Sequence, residues 1–421
     1  MSFVAGPGDH DRTVARVLLL LPTATYRAPD FLSAAAALGV EVVVGSERRQ
    51  ALADAMGDRA VVLPLGDPDA GVEAIAALHA RTPLDAVVAV DDQGVLLAAS
   101  ASQRLGLKHN PPSAVRATRD KLAMRARLAE CSVDQPEWAP LGQGDDPVAT
   151  ARAVGFPVVV KPVSLSASRG VIRADDDRAV EDAVARIRTI LVDADEDPGG
   201  ALLIERFAPG AEVAVEGLLQ DGHLEVLAVF DKPDPLDGPY FEETLYITPS
   251  RLPAAVLASI EAAADEGVAA LGLREGPVHA ELRVDGPNVT MLEIAARTIG
   301  GLCARALRFG AGVSLEELVL RHALGLGREG LRREADAAGV MMIPIPRRGT
   351  LVAVEGQAAA RAVPGIIGLE VAIAPGRPVV PLPEGDRYLG FLFARAATPT
   401  EVEHALRVAH GRLDIVIAPA A

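Results

Sequence analysis

Short apolar runs alternate with amphipathic stretches over the N-terminal part of the chain. Val14–Pro22 and Leu84–Val90 are mostly apolar, as in strands that are covered on both faces. Ala28–Leu38 and Gly71–Arg81 have the periodicity of helices, and Gly39 ends the first of them. Further strands are predicted at Val40–Gly45 and Val61–Leu65. This alternation predicts a parallel α/β sheet in the N-terminal region.

The hydrophobic pattern changes after a proline-rich linker, Asn110-Pro-Pro-Ser113. Ser113–Glu130 is predicted to form two helices joined by a turn, with Lys121 near their middle. Strands are then predicted at Pro157–Pro162, Leu202–Phe207, Val213–Leu219 and Leu224–Asp231, with helices at Asp177–Asp193 and Pro253–Leu271. Helices are also predicted over roughly Gly301–Leu324 and at Thr400–His410, and short strands fill the tail from Ala338. A mixed α+β middle region therefore follows the α/β region.

A predicted hairpin around residues 286–288 places two glutamates face to face. The Gly, Pro and Asn at these positions form a turn between two runs of alternating apolar residues. With a three-residue loop, Asp285 pairs with Val289, and Glu281 lies opposite Glu293. Their Cβ atoms would be about 4.5–5.5 Å apart, a distance at which like charges destabilise a sheet.

The two facing carboxylates are a candidate metal site. A divalent cation would offset their repulsion, and Mg²⁺ is usually held by one or two carboxylates together with substrate phosphates. Side chains alternate along a strand, so Arg297 shares the face of Glu293 and could contact the same phosphates. The alternative is a solvated sheet face, and the hairpin alone leaves both interpretations open.

Lys161 closes an apolar strand and is followed by a loop of small residues. A buried, unpaired lysine is costly, and the alternative is a strand-end lysine that extends to water. In the loop, small side chains allow backbone N–H groups to approach an anion, as in phosphate-binding loops. The candidate binding residues of the loop are Ser164, Ser166, Ser168 and Gly170. Turns use the same residue types, so a simple turn is the alternative.

Glu205 and Glu212 flank a predicted tight turn between two strands. Carboxylates in such positions can accept hydrogen bonds from an adenine amino group or from ribose hydroxyls. The equally weighted alternative is that these two carboxylates only make an exposed turn soluble.

Composition limits the kinds of partner that the chain can bind. The 421 residues carry a net charge of −16, which argues against sequence-independent binding to nucleic acid and against an anionic membrane surface. The two cysteines have no metal-type spacing and form no disulfide framework. Neither a signal peptide nor a lipidation motif is visible, and the longest apolar runs are too short to span a bilayer. We therefore expect a cytoplasmic protein.

In chain order, these candidate residues resemble the ligand-binding set of the ATP-grasp superfamily. The set comprises Lys121, Lys161, the loop 164–170, Glu205, Glu212, Glu281, Glu293 and Arg297. The string Glu293-Ile-Ala-Ala-Arg-Thr-Ile-Gly-Gly301 is similar to the biotin-carboxylase-like and L-amino acid ligase branches. The resemblance covers about residues 12–330 and extends to the C-terminal tail.

The resemblance implies an ATP-grasp fold with three parts. An N-terminal α/β domain would span residues 12–112, an ATP-grasp domain residues 113–330, and a small β-rich domain residues 331–421. Within the middle domain, about residues 150–217 would form a lid. Dimers are common in the biotin-carboxylase-like branch, so the resemblance also allows a homodimer.

The resemblance assigns the nucleotide to residues of the middle domain. Lys121 and Lys161 correspond to the two lysines that contact the phosphates of ATP, and the small-residue loop would cover those phosphates. Glu205 would lie beside the adenine, where Phe207 offers backbone groups. Glu212 would contact the ribose.

The resemblance also assigns the metal and the catalytic cations. Glu281 and Glu293 would hold Mg²⁺, with Mn²⁺ as an alternative metal. Arg297 and Lys161 would be catalytic residues that act on the phosphates. Where many members have Asn, this chain has Ala295, which removes one oxygen ligand for a second metal ion.

The activity that the resemblance implies is ATP-dependent ligation of a carboxylate to an amine. The carboxylate attacks the γ-phosphate, and the amine then attacks the acyl phosphate, with release of ADP and phosphate. The small-molecule substrates would include an amino acid. An acyl phosphate hydrolyses in water, so we expect the lid to close during the reaction.

Three residues are candidates for substrate binding. Glu243 lies in a Glu-Thr segment similar to one that lines the amino-acid pocket of L-amino acid ligases, and it could bind a substrate ammonium. Tyr246 stands where that family often has His. Arg305 and Arg308 are one turn apart on the predicted helix and could bind a substrate carboxylate, the alternative being solvated helix charges.

Two other functions stay open at the level of sequence. A biotin-carboxylase-type activity would use bicarbonate, although the chain has no biotinyl carrier segment similar to Ala-Met-Lys-Met. The other is a nucleotide-binding regulatory protein without catalysis. Such a protein would be expected to lose at least one of four residues that this chain keeps, namely Lys161, Glu281, Glu293 and Arg297.

Overall fold

The structure, a computed structural model, describes residues 14–23, 25–49 and 56–419 of the chain. It divides into two compact units. The first combines the residues up to 109 with residues 316–329, and the second comprises residues 110–315 and those from 330 onward. The predicted domain start at residue 12 lies outside the described residues, and the three-domain division stays a prediction.

The first unit contains a four-stranded parallel sheet. Its strands are β1 (Arg16–Leu20), β2 (Glu41–Ser46), β3 (Ala60–Val62) and β4 (Ala86–Ala89), in the order β3-β2-β1-β4, and its helices are Ala28–Ala37, Pro68–Arg81, Val95–Leu105 and Leu315–Ala323. Val17 and Leu19 pack with Phe31 on one face of the sheet. Leu18 and Leu20 belong to the core on the other face. Burial of both faces explains the apolar run of β1, and the predicted parallel sheet is confirmed.

The second unit begins with two helices and a four-stranded antiparallel sheet. The helices are Pro112–Arg119 and Lys121–Glu130, and the strands are β5 (Trp138–Leu141), β6 (Val158–Pro162), β7 (Ile172–Ala174) and β8 (Leu202–Arg206), in the order β5-β8-β6-β7. The helices Pro147–Val154 and Asp177–Asp193 complete this part of the unit. Val158, Val160 and Ile187 belong to one core. Lys161 lies on the opposite face, because side chains alternate along β6.

An eight-stranded antiparallel sheet forms the largest part of the second unit. Its strands are β9 (Ala211–Gln220), β10 (His223–Lys232), β11 (Leu245–Thr248), β12 (Gly276–Asp285), β13 (Asn288–Ala295), β14 (Ala337–Ile343), β16 (Ile366–Val371) and β18 (Gly390–Ala396), in the order β13-β12-β9-β10-β11-β14-β18-β16. A smaller sheet has the order β17-β15-β19, with β15 at Gly349–Glu355, β17 at Pro378–Val379 and β19 at Asp414–Ala418. The remaining helices are Ala254–Leu271, Gln357–Arg361 and Pro399–His410. Because β14 pairs with β11, three strands of the tail continue the sheet of the middle region.

Each helix in the described ranges is too short or too polar to cross a bilayer.

The prediction of helices throughout residues 301–324 is wrong in its first half. The chain forms a 3-10 turn at Cys303–Ala306, and the helix Leu315–Ala323 begins only after an irregular stretch. Gly301, Gly310 and Gly312 have φ angles of 62°, 52° and 89°, which L residues rarely adopt. These glycines interrupt the predicted helix.

The turn between β8 and β9 requires a glycine at position 210. Gly210 has a φ angle of 99°, and a Cβ atom there would overlap the carbonyl oxygen of Val284 in the neighbouring strand. Gly210→Ala is therefore expected to lower the free energy of unfolding by about 2–3 kcal/mol, measured by urea denaturation. The control is Gly286→Ala in the turn of the β12–β13 hairpin, which has a φ of 59° but open space around it. The control should cost only about 1 kcal/mol, and equal losses would contradict the steric argument.

Candidate active site

The predicted hairpin is formed by β12 and β13, and it pairs Glu281 with Glu293. The expected three-residue loop is wrong, because Asp285 pairs with Asn288 and the turn contains two residues. A β-bulge at Leu292 adds one residue to β13. The bulge offsets the shorter loop, so the predicted opposition of the two glutamates is confirmed.

Lys121 connects this pair of carboxylates to the small-residue loop. It is buried and begins its helix, which the side chain of Asp120 caps. The Lys121 ammonium lies 3.8 Å from Glu293 Oε2 and donates to the carbonyl oxygen of Leu165 at 2.6 Å. A cation thus lies between a candidate metal ligand and the candidate phosphate loop.

Lys161 is buried and paired, so it does not extend to water. Its ammonium lies 2.5 Å from Glu205 Oε2, and Arg125 Nε donates to Glu205 Oε1, also at 2.5 Å. Arg125 is fully buried and donates as well to the carbonyl oxygen of Leu292 at 2.6 Å. Burial opposes the charge of Glu205, but Arg125 and Lys161 outweigh it and lower the pKa of this carboxyl below its ordinary value. The contacts among Arg125, Lys161 and Glu205 therefore connect β6 and β8 to the bulge in β13.

The loop that follows β6 is a series of tight turns. Ser164 Oγ donates to a carboxylate oxygen of Glu196 at 3.3 Å. The carbonyl oxygens of Ser166 and Ser168 each accept from the backbone amide three residues further on, at 3.3 Å and 3.2 Å. Ala167 and Ser168 have φ angles of 57° and 55°. Positive φ angles at two consecutive residues, with the hydrogen bond from the Arg169 amide to Ser166, are typical of a type I′ turn.

The end of the loop is attached to the tail of the chain. The Gly170 amide donates to the carbonyl oxygen of Pro383 at 2.9 Å, and Arg169 Nε donates to that of Glu384 at 3.0 Å. The Glu384 carboxylate lies 2.6 Å from Arg186 Nε. The Gly170 amide, a candidate phosphate donor, is therefore used within the chain in this structure.

A buried lysine that the sequence analysis did not select lies among three candidate site residues. The Lys232 ammonium lies 2.7 Å from Glu212, 2.5 Å from Glu243 and 3.0 Å from Glu281. Burial opposes the charge of this lysine, but the three carboxylates hold its pKa well above the ordinary value. Burial raises the pKa of Glu243. Despite burial, Lys232 and His279 hold the pKa of Glu281 well below its ordinary value.

Glu212 pairs with Arg283, and the Phe207 ring lies beside both Arg173 and Arg283. Arg283 Nε is 3.0 Å from Glu212 Oε2. The guanidinium groups of Arg173 and Arg283 lie 4.3 Å and 5.5 Å from the centroid of the Phe207 ring, which are cation–π contacts. The Phe207 amide donates to the carbonyl oxygen of Pro157 at 2.9 Å. The Phe207 amide, a candidate donor to the adenine, is therefore hydrogen-bonded within the chain in this structure.

Arg297 follows β13 in a loop that a buried glutamate holds in place. Glu216 Oε2 accepts from the Ile299 amide at 3.0 Å and from His279 Nδ1 at 3.2 Å. His279 Nε2 lies 3.5 Å from Glu281 Oε1, so the imidazole links Glu216 to a candidate metal ligand. Burial opposes the imidazolium, but hydrogen bonds to Glu216 and Glu281 raise the pKa of His279 to about 9. Arg297 Nη1 donates to the next carbonyl oxygen of the chain at 3.0 Å.

Arg305 and Arg308 do not lie one turn apart on a helix, contrary to the prediction. Arg305 belongs to the 3-10 turn, and its guanidinium pairs with the carboxylate of Glu370. Arg308 comes after the turn has ended, and its Nη1 donates to the carbonyl oxygen of Leu307 at 2.8 Å. The glycines that interrupt the predicted helix remove the geometry on which this pair depended.

The structure thus brings most of the acidic candidates together. Glu212, Glu243 and Glu281 surround one ammonium, and Glu293 lies opposite Glu281 with Lys121 beside it. The facing carboxylates of the hairpin offer the acidic oxygen donors that Mg²⁺ takes, so these residues fit that metal.

Three family models match the chain, and the descriptions of two of them name the ATP-grasp domain. The model described as ATP-grasp N-terminal domain matches residues 32–109, ATP-grasp domain matches residues 154–306, and L-amino acid ligase C-terminal domain 2 matches residues 341–418. The two ATP-grasp models together match more than half of the chain, so the chain belongs to the ATP-grasp superfamily, and this confirms the resemblance drawn from its residues.

The comparisons also show what the chain is similar to. It is 26% identical over 266 residues to alanine–anticapsin ligase of Bacillus subtilis (strain 168), a match that covers 59% of this chain and 56% of that protein. It is 30% identical over 255 residues to carnosine synthase 1 of Gallus gallus, which covers 58% of this chain and 27% of that protein. The crystal structure of L-amino acid ligase from Bacillus licheniformis superposes with a TM-score of 0.78 at 24% identity, over 96% of this chain and 99% of that one. This last likeness confirms the ATP-grasp fold.

Proposed function

We propose that this protein is an ATP-dependent carboxylate–amine ligase that forms an amide or peptide bond, with an amino acid as one substrate. The observation that carries the proposal is the pairing of Glu281 with Glu293 beside Lys121, in a chain with the ATP-grasp fold. ATP-grasp enzymes bind ATP together with Mg²⁺. The names of two relatives describe a ligase and a synthase, which supports this class. The matches span 56% of the first relative and 27% of the second, so the activity is a proposal for this chain.

In the proposed reaction ATP is a co-substrate. The substrate carboxylate attacks the γ-phosphorus, the bond to ADP breaks, and an acyl phosphate forms. The amine then attacks the carbonyl carbon and loses a proton, and the bond to phosphate breaks to leave the amide. Lys121, Lys161 and Arg297 would hold the phosphates and neutralise their charge. Positioning and charge suffice for this chemistry, so no covalent nucleophile of the protein is needed.

Glu281 and Glu293 would hold Mg²⁺ in this proposal, with Mn²⁺ as an alternative. The bound metal would neutralise charge on the phosphates. Glu281 is suited to the task because its low pKa keeps it ionised at neutral pH. His279 and Lys232 fix the orientation of its carboxylate before a ligand arrives.

Glu243 is the proposed partner of a substrate ammonium group. The hydroxyls of Tyr246 and Tyr388 donate to it at 2.7 Å and 3.3 Å and orient its carboxylate. Glu243→Gln is expected to raise the KM for the amino acid at least tenfold (roughly 1.5–3 kcal/mol, the range for a charged hydrogen bond), with a small change in the KM for ATP. Steady-state phosphate release would measure both values. The neighbouring Glu242→Gln serves as the control, and equal effects of the two variants would contradict the assignment.

The experiment that tests the proposed function is Mg²⁺-dependent phosphate release from ATP, screened over the amino acids singly and in pairs. Release that requires a particular amino acid or pair would establish the ligase and identify its substrate class. Release that requires bicarbonate and biotin instead would support a carboxylase. ATP binding without stimulated release under every condition would contradict a ligase of amino acids.

We also propose a cytoplasmic location. Cys131 and Cys303 form no disulfide bond with each other in the structure. Reduced cysteines are usual in a reducing compartment, and this supports the proposal.

A further inference from the structure

The Lys232 ammonium fills a cage of three carboxylates. Each of Glu212, Glu243 and Glu281 directs its Oε1 atom at the ammonium, at 2.7 Å, 2.5 Å and 3.0 Å. Only 3% of the lysine side chain is exposed. An ammonium group has three N–H donors, so this cage offers one acceptor for each.

Without its lysine, the cage has the form of a metal site. Oxygen atoms of the three carboxylates lie within 4.8 Å of one another, close enough to bind one cation together. Mg²⁺ and Mn²⁺ favour such carboxylate oxygens. Among the described residues, this cage and the paired glutamates of the hairpin could therefore each attract a divalent cation, and Glu281 belongs to both.

Each of the three carboxylates of the cage also has a second donor group of the protein close to it. Arg283 Nε lies 3.0 Å from the other oxygen of Glu212. The Tyr246 hydroxyl donates to Glu243 Oε1 at 2.7 Å, and its ring lies 4.8 Å from the Lys232 ammonium. His279 Nε2 lies 3.5 Å from Glu281 Oε1. Cations and donors of the chain thus already satisfy the cage.

We infer that Lys232 is a positioning residue that acts as a built-in cation. It keeps a divalent metal out of the cage and leaves Glu281 to bind metal with Glu293. It also joins three parts of the site through one ammonium, since Glu212, Glu243 and Glu281 are the proposed contacts of the ribose, the substrate and the metal. This inference rests on the proposed metal ligands of the preceding section.

The first test counts Mn²⁺ ions on the full-length protein by electron paramagnetic resonance, with ADP at saturation. Lys232→Met removes the charge but retains much of the volume, and about one additional Mn²⁺ ion per chain is expected to bind in the emptied cage. Lys232→Arg keeps the charge and is expected to bind as many ions as the unmodified protein. An unchanged count in Lys232→Met would overturn the inference.

The second test keeps Lys232 in place, because the methionine variant leaves three buried carboxylates without their lysine, and this alone lowers the stability of the fold. Glu243→Gln still offers an oxygen to Lys232, and the affinity for Mn²⁺ should stay unchanged. Glu293→Gln should weaken Mn²⁺ binding about tenfold or more. Weakening by Glu243→Gln as large as that by Glu293→Gln would place the metal in the cage and overturn the inference.

The Mn²⁺ measurements test the inference about Lys232, whereas phosphate release tests the proposed ligase activity. If Glu293→Gln binds Mn²⁺ as well as the unmodified protein, the assignment of the metal ligands is wrong, and the inference falls with it. If the Mn²⁺ results hold but phosphate release does not depend on an amino acid, only the proposed reaction is wrong.

Discussion

Glu293→Gln is expected to lower amino-acid-dependent phosphate release by about a thousandfold, because one of the two facing carboxylates loses its charge. Glutamine has the same shape as glutamate. The substitution removes the repulsion from Glu281 and also the attraction to Lys121, and these two effects on stability oppose each other. Folding should therefore be preserved. Mg²⁺-dependent phosphate release measures the activity, and the thermal unfolding midpoint measures the stability.

The matched control for this variant lies in the same hairpin. Asp285 is an exposed acid at the end of β12, next to the turn. Asp285→Asn removes the same charge from the same element, and it should leave phosphate release unchanged. An active Glu293→Gln variant, or an equally inactive Asp285→Asn variant, would show that the reaction does not depend on the paired carboxylates.

Arg125→Met is expected to give the largest loss of stability, about 3 kcal/mol in the free energy of unfolding. The guanidinium of Arg125 is fully buried and holds Glu205 at 2.5 Å. It also donates to the carbonyl oxygen of Leu292 at 2.6 Å. Its removal leaves a buried carboxylate with Lys161 alone and leaves an acceptor in the bulge without its donor. Urea denaturation of the two proteins measures the loss.

Arg116→Met on the preceding helix provides the comparison. Arg116 is exposed, so the same substitution there should change the free energy of unfolding by about 0.5 kcal/mol or less. Similar values for the two arginine variants would mean that the buried group around Glu205 does not hold the fold together.

The sequence predicted those features of the site that depend on nearby residues. Alternation along β12 and β13 and an assumed three-residue turn placed Glu281 opposite Glu293, and this register is correct only because two errors cancel. The length of the turn was wrong by one residue, and the bulge at Leu292 was not foreseen. The carbonyl oxygen of the bulged residue accepts from Arg125, which is distant in the chain, and alternation alone does not reveal such a contact.

The features that the sequence did not predict depend on residues far apart in the chain. Lys232 lies just beyond the strand predicted at Leu224–Asp231, and its partners come from three other segments. One local signal was available, because Asp221-Gly222 is a typical hairpin turn. Pairing outward from that turn would have placed Lys232 within one residue of its actual partner in the sheet, Glu212.

For Arg305 and Arg308 the error was of the opposite kind, because the sequence predicted a regular helix where the chain forms only a 3-10 turn. Helical spacing suggested that Arg305 and Arg308 act together, but the segment forms only the 3-10 turn Cys303–Ala306, with positive φ angles at Gly301 and Gly310 on either side. Arg305 instead pairs with Glu370, a residue of β16. Glycine is tolerated within a helix at a cost of about 1 kcal/mol, so its presence in the sequence does not fix where a helix stops.

The most direct test of the ligase proposal uses an amino acid labelled with ¹⁸O in its carboxylate, once the phosphate-release screen has identified it. Attack of that carboxylate on ATP and aminolysis of the acyl phosphate transfer one labelled oxygen to the released phosphate. We therefore expect phosphate that contains one ¹⁸O atom, in step with amide formation, when the products are analysed by mass spectrometry. Unlabelled phosphate, or label in AMP, would contradict the account.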